Sequence, residues 1–206
     1  MSEGRPEPLR GRSLARDPVE QFTGWFDEAR GEGSLALPDA CCLSTVDPEG
    51  YPDARMVLLK EFDERGFVFY TNLGSRKGVH LRERPRASLT FYWEPLRRQV
   101  RIQGQVVRVE DEEADAYWAT RPRGSQLGAW ASEQSAPIES RGELEDRFRE
   151  VEERFEGRSV PRPSFWTGFR LRPRAFEFWQ ERPDRLHDRF RYARSEGGWE
   201  IHRLQP

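Results

Sequence analysis

The stretch CCLSTVDPEGYPDARMVLLKEFDERGFVFYTN, residues 41 to 72, decides the fold. Its apolar runs CCLSTV, ARMVLLKEF and FVFYTN are short and rich in β-branched and aromatic residues, and DPEGYPD and DERG between them supply turn formers. This pattern predicts consecutive antiparallel strands with tight connections. Within ARMVLLKEF, strand alternation sets Arg55, Val57 and Leu59 on one face and Met56, Leu58 and Lys60 on the other, so Arg55 and Lys60 are not expected to grip one anion together.

Working outward, residues 1 to 16 are rich in Arg, Pro and Gly without periodicity and read as a flexible arm. Asp17-Pro18 then reads as an N-cap followed by proline at the first helical position, and Val19, Phe22, Trp25, Phe26 and Ala29 recur at helical spacing until Gly31 to Gly33. Beyond residue 72 a short helix is expected over 75–84, followed by strands in RASLTFYW and QVRIQGQVVRV. The apolar phase of the latter changes after Val106, and with Gly104 alongside this suggests a bulge. Two helical segments, DEEADAYWATR and GELEDRFREVEERFEG, precede four more strand-like runs, FWTGFRL, AFEFWQ, RFRYAR and WEIHRL. Many short strands with helices around them predict a mainly β fold with peripheral helices (α+β), an antiparallel barrel, closed or partly closed, over one domain spanning 17–206.

Composition narrows the chemistry. The formal net charge is −2, so no global basic field recruits nucleic acid or an anionic membrane. No apolar run reaches the ~20 residues of a membrane helix, and a cytoplasmic protein is expected. Two adjacent cysteines and three scattered histidines match no metal-binding spacing. GEGSLA at 31–36 matches a dinucleotide-type glycine pattern, but it follows a helix and lies outside any βαβ unit.

Basic residues are more informative, because Lys60 and Lys77 are the only lysines among 34 Lys and Arg. Lysine is a compact point charge and arginine a planar fork, so their exchange matters at a ligand. In SRKGVHLRER, Ser75 is an expected N-cap that sets Arg76 and Lys77 in a first helical turn, where the helix dipole disfavours cations unless an anion shares the site. The stretch 117–130 gathers Tyr117, Arg121, Arg123 and Ser125, donors suited to a phosphate monoester; a basic turn ending a helix accounts for the same spacing. In WQERPDRLHDRFRY, strand alternation aligns Arg185, His187 and Arg189 on one face beside Trp179, a cationic row suited to a flat, electron-rich ligand.

Taken with RMVLLK, FVFYTNLGSRKG, RQVRIQG, the YW-to-AWAS stretch ending in EQS, FWTGFR, FWQERPDRLHDRF and a terminal RLQP, these residues make the sequence resemble the pyridoxine (pyridoxamine) 5′-phosphate oxidase family from about residue 17 to the end. The resemblance implies an FMN-binding split barrel, a homodimer with FMN at the subunit interface. It implies flavin contacts from Arg55, Met56, Val57, Leu58, Leu59, Lys60, Tyr70, Thr71, Arg76, Lys77, Gln99, Gln134, Ser135, Trp179 and Arg189. Lys60, Tyr117, Arg121 and Ser125 would take the substrate phosphate, and Arg185, Leu186 and His187 would hold the pyridine ring, Arg185 and His187 as catalytic residues. The implied reaction oxidises pyridoxamine or pyridoxine 5′-phosphate to pyridoxal 5′-phosphate with O2, releasing hydrogen peroxide. The alternatives are a split-barrel oxidase of another ring, such as a phenazine precursor, and a non-catalytic FMN or pyridoxal phosphate binder.

Overall fold

The computed structural model describes residues 8–206. Residues 1–7 of the expected arm lie outside them, and the rest of that arm is packed rather than free. Leu9 is buried, its N–H donates to Asp188 Oδ2 (3.2 Å), its carbonyl accepts from Arg203, and the Ala15 carbonyl accepts from the Tyr192 hydroxyl (2.8 Å). The first helix, α1 (Pro18–Gly31), starts as expected: the Asp17 carboxylate accepts from the Val19 and Glu20 amides, and Pro18 occupies the first turn, where no N–H partner is needed. Its apolar face buries Phe22, Trp25, Phe26 and Ala29.

Among the described residues nine strands, every pairing antiparallel, form one curled sheet: β1 (Ala40–Val46), β2 (Pro52–Leu58), β3 (Glu61–Asp63), β4 (Gly66–Asn72), β5 (Arg86–Trp93), β6 (Arg98–Arg108), β7 (Trp166–Gln180), β8 (Asp188–Ser195) and β9 (Gly198–Leu204). The main path runs β2-β1-β5-β6-β7-β4-β3. FWTGFRL and AFEFWQ belong to the single strand β7, and this strand makes the split. One edge of β7 pairs with β6 from Phe169 to Gln180, while the other pairs with β4 over its first half and with β8 over its second. Between the halves Gln103 faces Ala175 but Gly104 faces Pro173, which leaves Arg174 as an extra residue. The bulge expected near Gly104 therefore lies on the partner strand, where Pro173 does not disrupt a ladder already broken. Gly104 is the residue that permits it, since a Cβ there would sit 2.0 Å from the Arg172 carbonyl oxygen.

The core fills the concave side. Phe22 meets Phe26, Phe62, Phe67 and Phe91 at ring separations of 5.0 to 5.3 Å. Each such side chain contributes about 1.5–3 kcal/mol on burial, which explains how a strongly charged sequence still folds. A second cluster of Trp118, Leu127, Phe155, Val160 and Trp166 joins α3 (Asp111–Thr120), α4 (Arg123–Ala131) and α5 (Arg141–Arg154) to the start of β7.

Three further expectations need correction. Between the two helical segments expected after β6 lies a third, α4, which the sequence reading leaves out; Gly124 and Gly128 depress its propensity, and burial of Leu127 and Ala131 offsets that. ARMVLLKEF is two strands, broken at Leu59 and Lys60, with Leu59 in the core. The Arg185, His187 and Arg189 row does not form, because 183–185 is a 3-10 turn with Asp184 and Arg185 at positive φ (57° and 60°), and β8 starts only at Asp188.

Candidate active site

At the mouth of β4, α2 (Arg76–Glu83) begins as a ready anion cradle. Ser75 Oγ accepts from the Gly78 amide and donates to the Asn72 carbonyl, which fixes the entry into the helix. Gly78 is required there: a Cβ would lie 2.4 Å from the Leu73 carbonyl oxygen. Lys77 is 8% exposed, and its amine rests on two hydroxyls, Thr71 Oγ1 (3.3 Å) and Ser75 Oγ (3.4 Å). Burial, and then the nearby Arg55 charge, hold the Lys77 pKa below its ordinary value. Arg55 is aimed by Thr45 Oγ1 (2.7 Å), the Leu43 carbonyl (3.2 Å) and an ion pair with Asp53. From the α4 end, Gln134 Oε1 accepts from Thr71 Oγ1 (3.1 Å), and Ser135 Oγ accepts from the Arg76 amide (3.4 Å).

Beside this cradle lies a cavity of about 440 Å³. Met56, Val57, Leu58 and Lys60 line it from the β2 side, Tyr70, Thr71 and Lys77 from the β4 side, and Tyr117, Arg121 and Ser125 from the helices. The alternation expected for β2 holds as far as Leu58: Arg55 and Val57 are half-buried, Met56 and Leu58 exposed. Lys60 projects into the cavity from the break after β2, oriented by Asp39 (3.3 Å). Tyr70 and Tyr117 stack at 3.9 Å, and burial pushes both phenol pKa values upward, so they remain neutral donors. Arg121 donates from Nη2 to the Ser125 carbonyl (3.0 Å), while its Nε is buried without a partner. An adjoining cavity of about 860 Å³, which shares Asn72, Ser132 and Gln134 with the first, takes in Arg76, Ser135 and His80.

The remaining residues named from sequence lie elsewhere. Gln99, Trp179 and Arg189 stand side by side on one row of β6, β7 and β8. Glu177 Oε1 accepts from Arg189 Nε and Nη2 (3.0 and 2.8 Å). The His187 ring packs 4.7 Å from Trp179, and its Nδ1 accepts from the Arg182 amide, which puts the neutral-ring proton on Nε2. Arg185 and Leu186 are exposed on the turn. This second group is far from the cavity: Thr71 pairs with Thr167 near the start of β7, and Trp179 stands roughly 40 Å of strand contour away at ~3.3 Å per residue. One chain thus carries two separated sets. Sequence reasoning missed the residues that aim these side chains, Asp39, Thr45, Asp53, Glu177, Trp118 and Trp166; of these Trp118 and Trp166 carried a signal, inside the YW-to-AWAS and FWTGFR segments.

Comparison with known proteins bears on both sets. Residues 27–155 match the family model described as pyridoxamine 5′-phosphate oxidase, and residues 166–206 match the pyridoxine 5′-phosphate oxidase C-terminal dimerisation region. Proteins named pyridoxine/pyridoxamine 5′-phosphate oxidase are similar along most of the chain. One from Rubrobacter xylanophilus is 60% identical over 92% of this chain and 87% of its own, and one from Thermobifida fusca is 54% identical over 97% and 93%. Among solved structures, PhzG from Burkholderia lata, in complex with tetrahydrophenazine-1-carboxylic acid, superposes with a TM-score of 0.91 at 32% identity, covering 98% of this chain and all of that one. A pyridoxamine 5′-phosphate oxidase-related, FMN-binding protein from Nostoc punctiforme, at 20% identity and a TM-score of 0.73 over 94% of this chain and all of its own, shares the fold. Two family models that together span most of the chain, and relatives above half identity, place it: this chain belongs to the pyridoxine/pyridoxamine 5′-phosphate oxidase family.

Proposed function

We propose that the chain is an FMN-dependent oxidase that converts pyridoxamine and pyridoxine 5′-phosphate to pyridoxal 5′-phosphate, with O2 as electron acceptor and hydrogen peroxide as by-product. It works in the cytoplasm as a homodimer. The observation that carries this reading is two anion-binding groups around one cavity: Lys77 at the start of α2, and Lys60 together with Tyr117, Arg121 and Ser125. Cofactor and substrate are both phosphate monoesters, so each group has an anion to hold.

The residues present fit FMN. A buried lysine amine held by two hydroxyls, a half-buried Arg55 and a capped helix start form a donor set suited to the flavin phosphate. When bound, FMN supplies the two-electron acceptor and its reactivity with O2. The chain's own residues bind and orient. Lys60, Tyr117, Arg121 and Ser125 anchor the substrate phosphate, and that remote binding energy is spent on alignment of C4′. Arg185, on its exposed turn, and His187, with Nε2–H free to donate, orient the ring and compensate charge as C4′ loses its hydrogen. With the amine substrate, water then hydrolyses the imine and ammonia leaves.

In this reading the distance between the two residue sets is bridged by a second chain. Residues 166–206, matched as a dimerisation region, carry Trp179, Arg185, His187 and Arg189, and they bring these to the partner's cavity. The likeness to PhzG favours a second reading, oxidation of a phenazine precursor. The phosphate donors around the cavity argue against it, since a carboxylated tricycle has no phosphate for them. The purified protein, once loaded with FMN, should be yellow, and anaerobic pyridoxamine 5′-phosphate should bleach it. A flavoprotein that this substrate leaves unbleached contradicts the proposal.

A further inference from the structure

Arg121 has an unusual surrounding for a cation. Among the described residues no carboxylate pairs with it, burial holds its pKa below the ordinary arginine value, and its Nε is buried without a partner. Two indoles hold it instead. The guanidinium carbon lies 4.7 Å from the Trp166 ring centre and 5.5 Å from that of Trp118, and the two indoles meet edge to face at 4.9 Å. The same Trp166 ring lies nearly parallel to Tyr70 (5.2 Å, 8°), which stacks in turn on Tyr117.

The cradle is anchored on every side. Trp118 Nε1 donates to the Val160 carbonyl (2.8 Å), Arg162 Nη1 donates to the Trp166 carbonyl (2.9 Å), and Arg162 is itself held by Asp111 and Asp115 of α3 (3.0 and 2.5 Å). A carboxylate would also hold an arginine in place, but it would neutralise the charge that a phosphate needs. An aromatic face holds the guanidinium while leaving that charge available.

We infer that Trp166 is a positioning residue for the substrate phosphate: its indole fixes Arg121 as an oriented but uncompensated cation, and its stack through Tyr70 fixes the Tyr117 phenol. The inference rests on the reading of Arg121 and Tyr117 as phosphate donors and goes beyond it, since it names the group that aims them.

The test compares Trp166→Leu, Trp166→Phe, Arg121→Ala and the Trp166→Leu/Arg121→Ala double variant as FMN-loaded enzymes, with thermal melts and flavin content recorded for each. Steady-state kinetics with pyridoxamine 5′-phosphate are paired with equilibrium binding of pyridoxal 5′-phosphate. Trp166→Leu should raise KM and weaken pyridoxal 5′-phosphate binding about tenfold, the range a desolvated cation–π contact supports, with more of the loss in KM than in kcat. Trp166→Phe should retain most of the affinity. In the Arg121→Ala background Trp166→Leu should change binding by no more than about threefold, because the group it chiefly aims is gone and only its hold on Tyr117 remains. The same tenfold loss with Arg121 absent overturns the inference, as does a folded Trp166→Leu enzyme with unaltered binding. If Trp166→Leu does not fold, Trp166→Met, which fills similar space without a π face, carries the same comparison with and without Arg121. Arg121→Ala with undiminished affinity would instead sink the phosphate-grip reading underneath.

Discussion

Lys60, Lys77 and Arg121 line one cavity, and each is held in a different way: Lys60 beside a carboxylate, Lys77 on two hydroxyls, Arg121 between two indoles. Charge-assisted hydrogen bonds contribute about 1.5–3 kcal/mol, so Arg121→Ala and Lys60→Ala should each raise the KM for phosphorylated substrate by ~10- to 100-fold with a smaller effect on kcat, as steady-state kinetics will report. Arg185→Ala should also lower kcat. Cys41 offers a test independent of catalysis. It is 1% exposed, and burial, reinforced by Cys42 and Asp39, pushes its thiol up from 9.0 to about 12. The unfolded chain therefore loses this proton first as pH rises, and the folded protein loses stability between about pH 9 and pH 12. Urea melts from pH 8 to 10 should show a shallower alkaline loss for Cys41→Ala than for the parent, and equal slopes would contradict the assignment. At this scale the lysines were legible because they are rare against an arginine background. The groups that aim them were not, because Asp39 and Trp166 meet their partners only through the tertiary fold.

At the scale of elements, glycine separates packing from propensity. Gly104→Ala and Gly78→Ala drive a methyl into backbone carbonyl oxygens and should cost more than ~3 kcal/mol or prevent folding, whereas Gly24→Ala in α1 meets nothing within 4 Å and should stabilise by about 0.5–1 kcal/mol. Chemical denaturation of the three variants checks the ranking. The caps of α1 and α2, the strands of the opening stretch and the disturbance at Gly104 were readable, because each depends on neighbours in sequence. Three features were not. α4 is hidden by its glycines and starts directly after a proline, the turn at Arg185 requires positive φ from a residue that rarely adopts it, and the fixing of residues 9–15 depends on Asp188, Tyr192 and Arg203 near the other end of the chain.

At the scale of the molecule, β7 is both the backbone of the sheet and, under the proposed site, the reason a second chain is needed to complete it. It holds the cavity at one end and the Trp179, His187 and Arg189 group at the other, about twelve residues or roughly 40 Å of strand contour apart at ~3.3 Å per residue. The antiparallel barrel was legible from strand spacing, but the separation was not, because it arises from one long strand that reads in sequence as two short ones. A mixing experiment tests the resulting claim of a shared oxidase site most directly. Arg121→Ala and Arg185→Ala chains, each deficient alone, are unfolded together and refolded with FMN, and the mixed dimers are isolated by two different tags. In a mixed dimer one site carries both lesions and the other carries neither. A site shared between chains should give about half the parental oxidase activity per mixed dimer, with a parental KM. Verified mixed dimers no more active than the average of the two variants would contradict it.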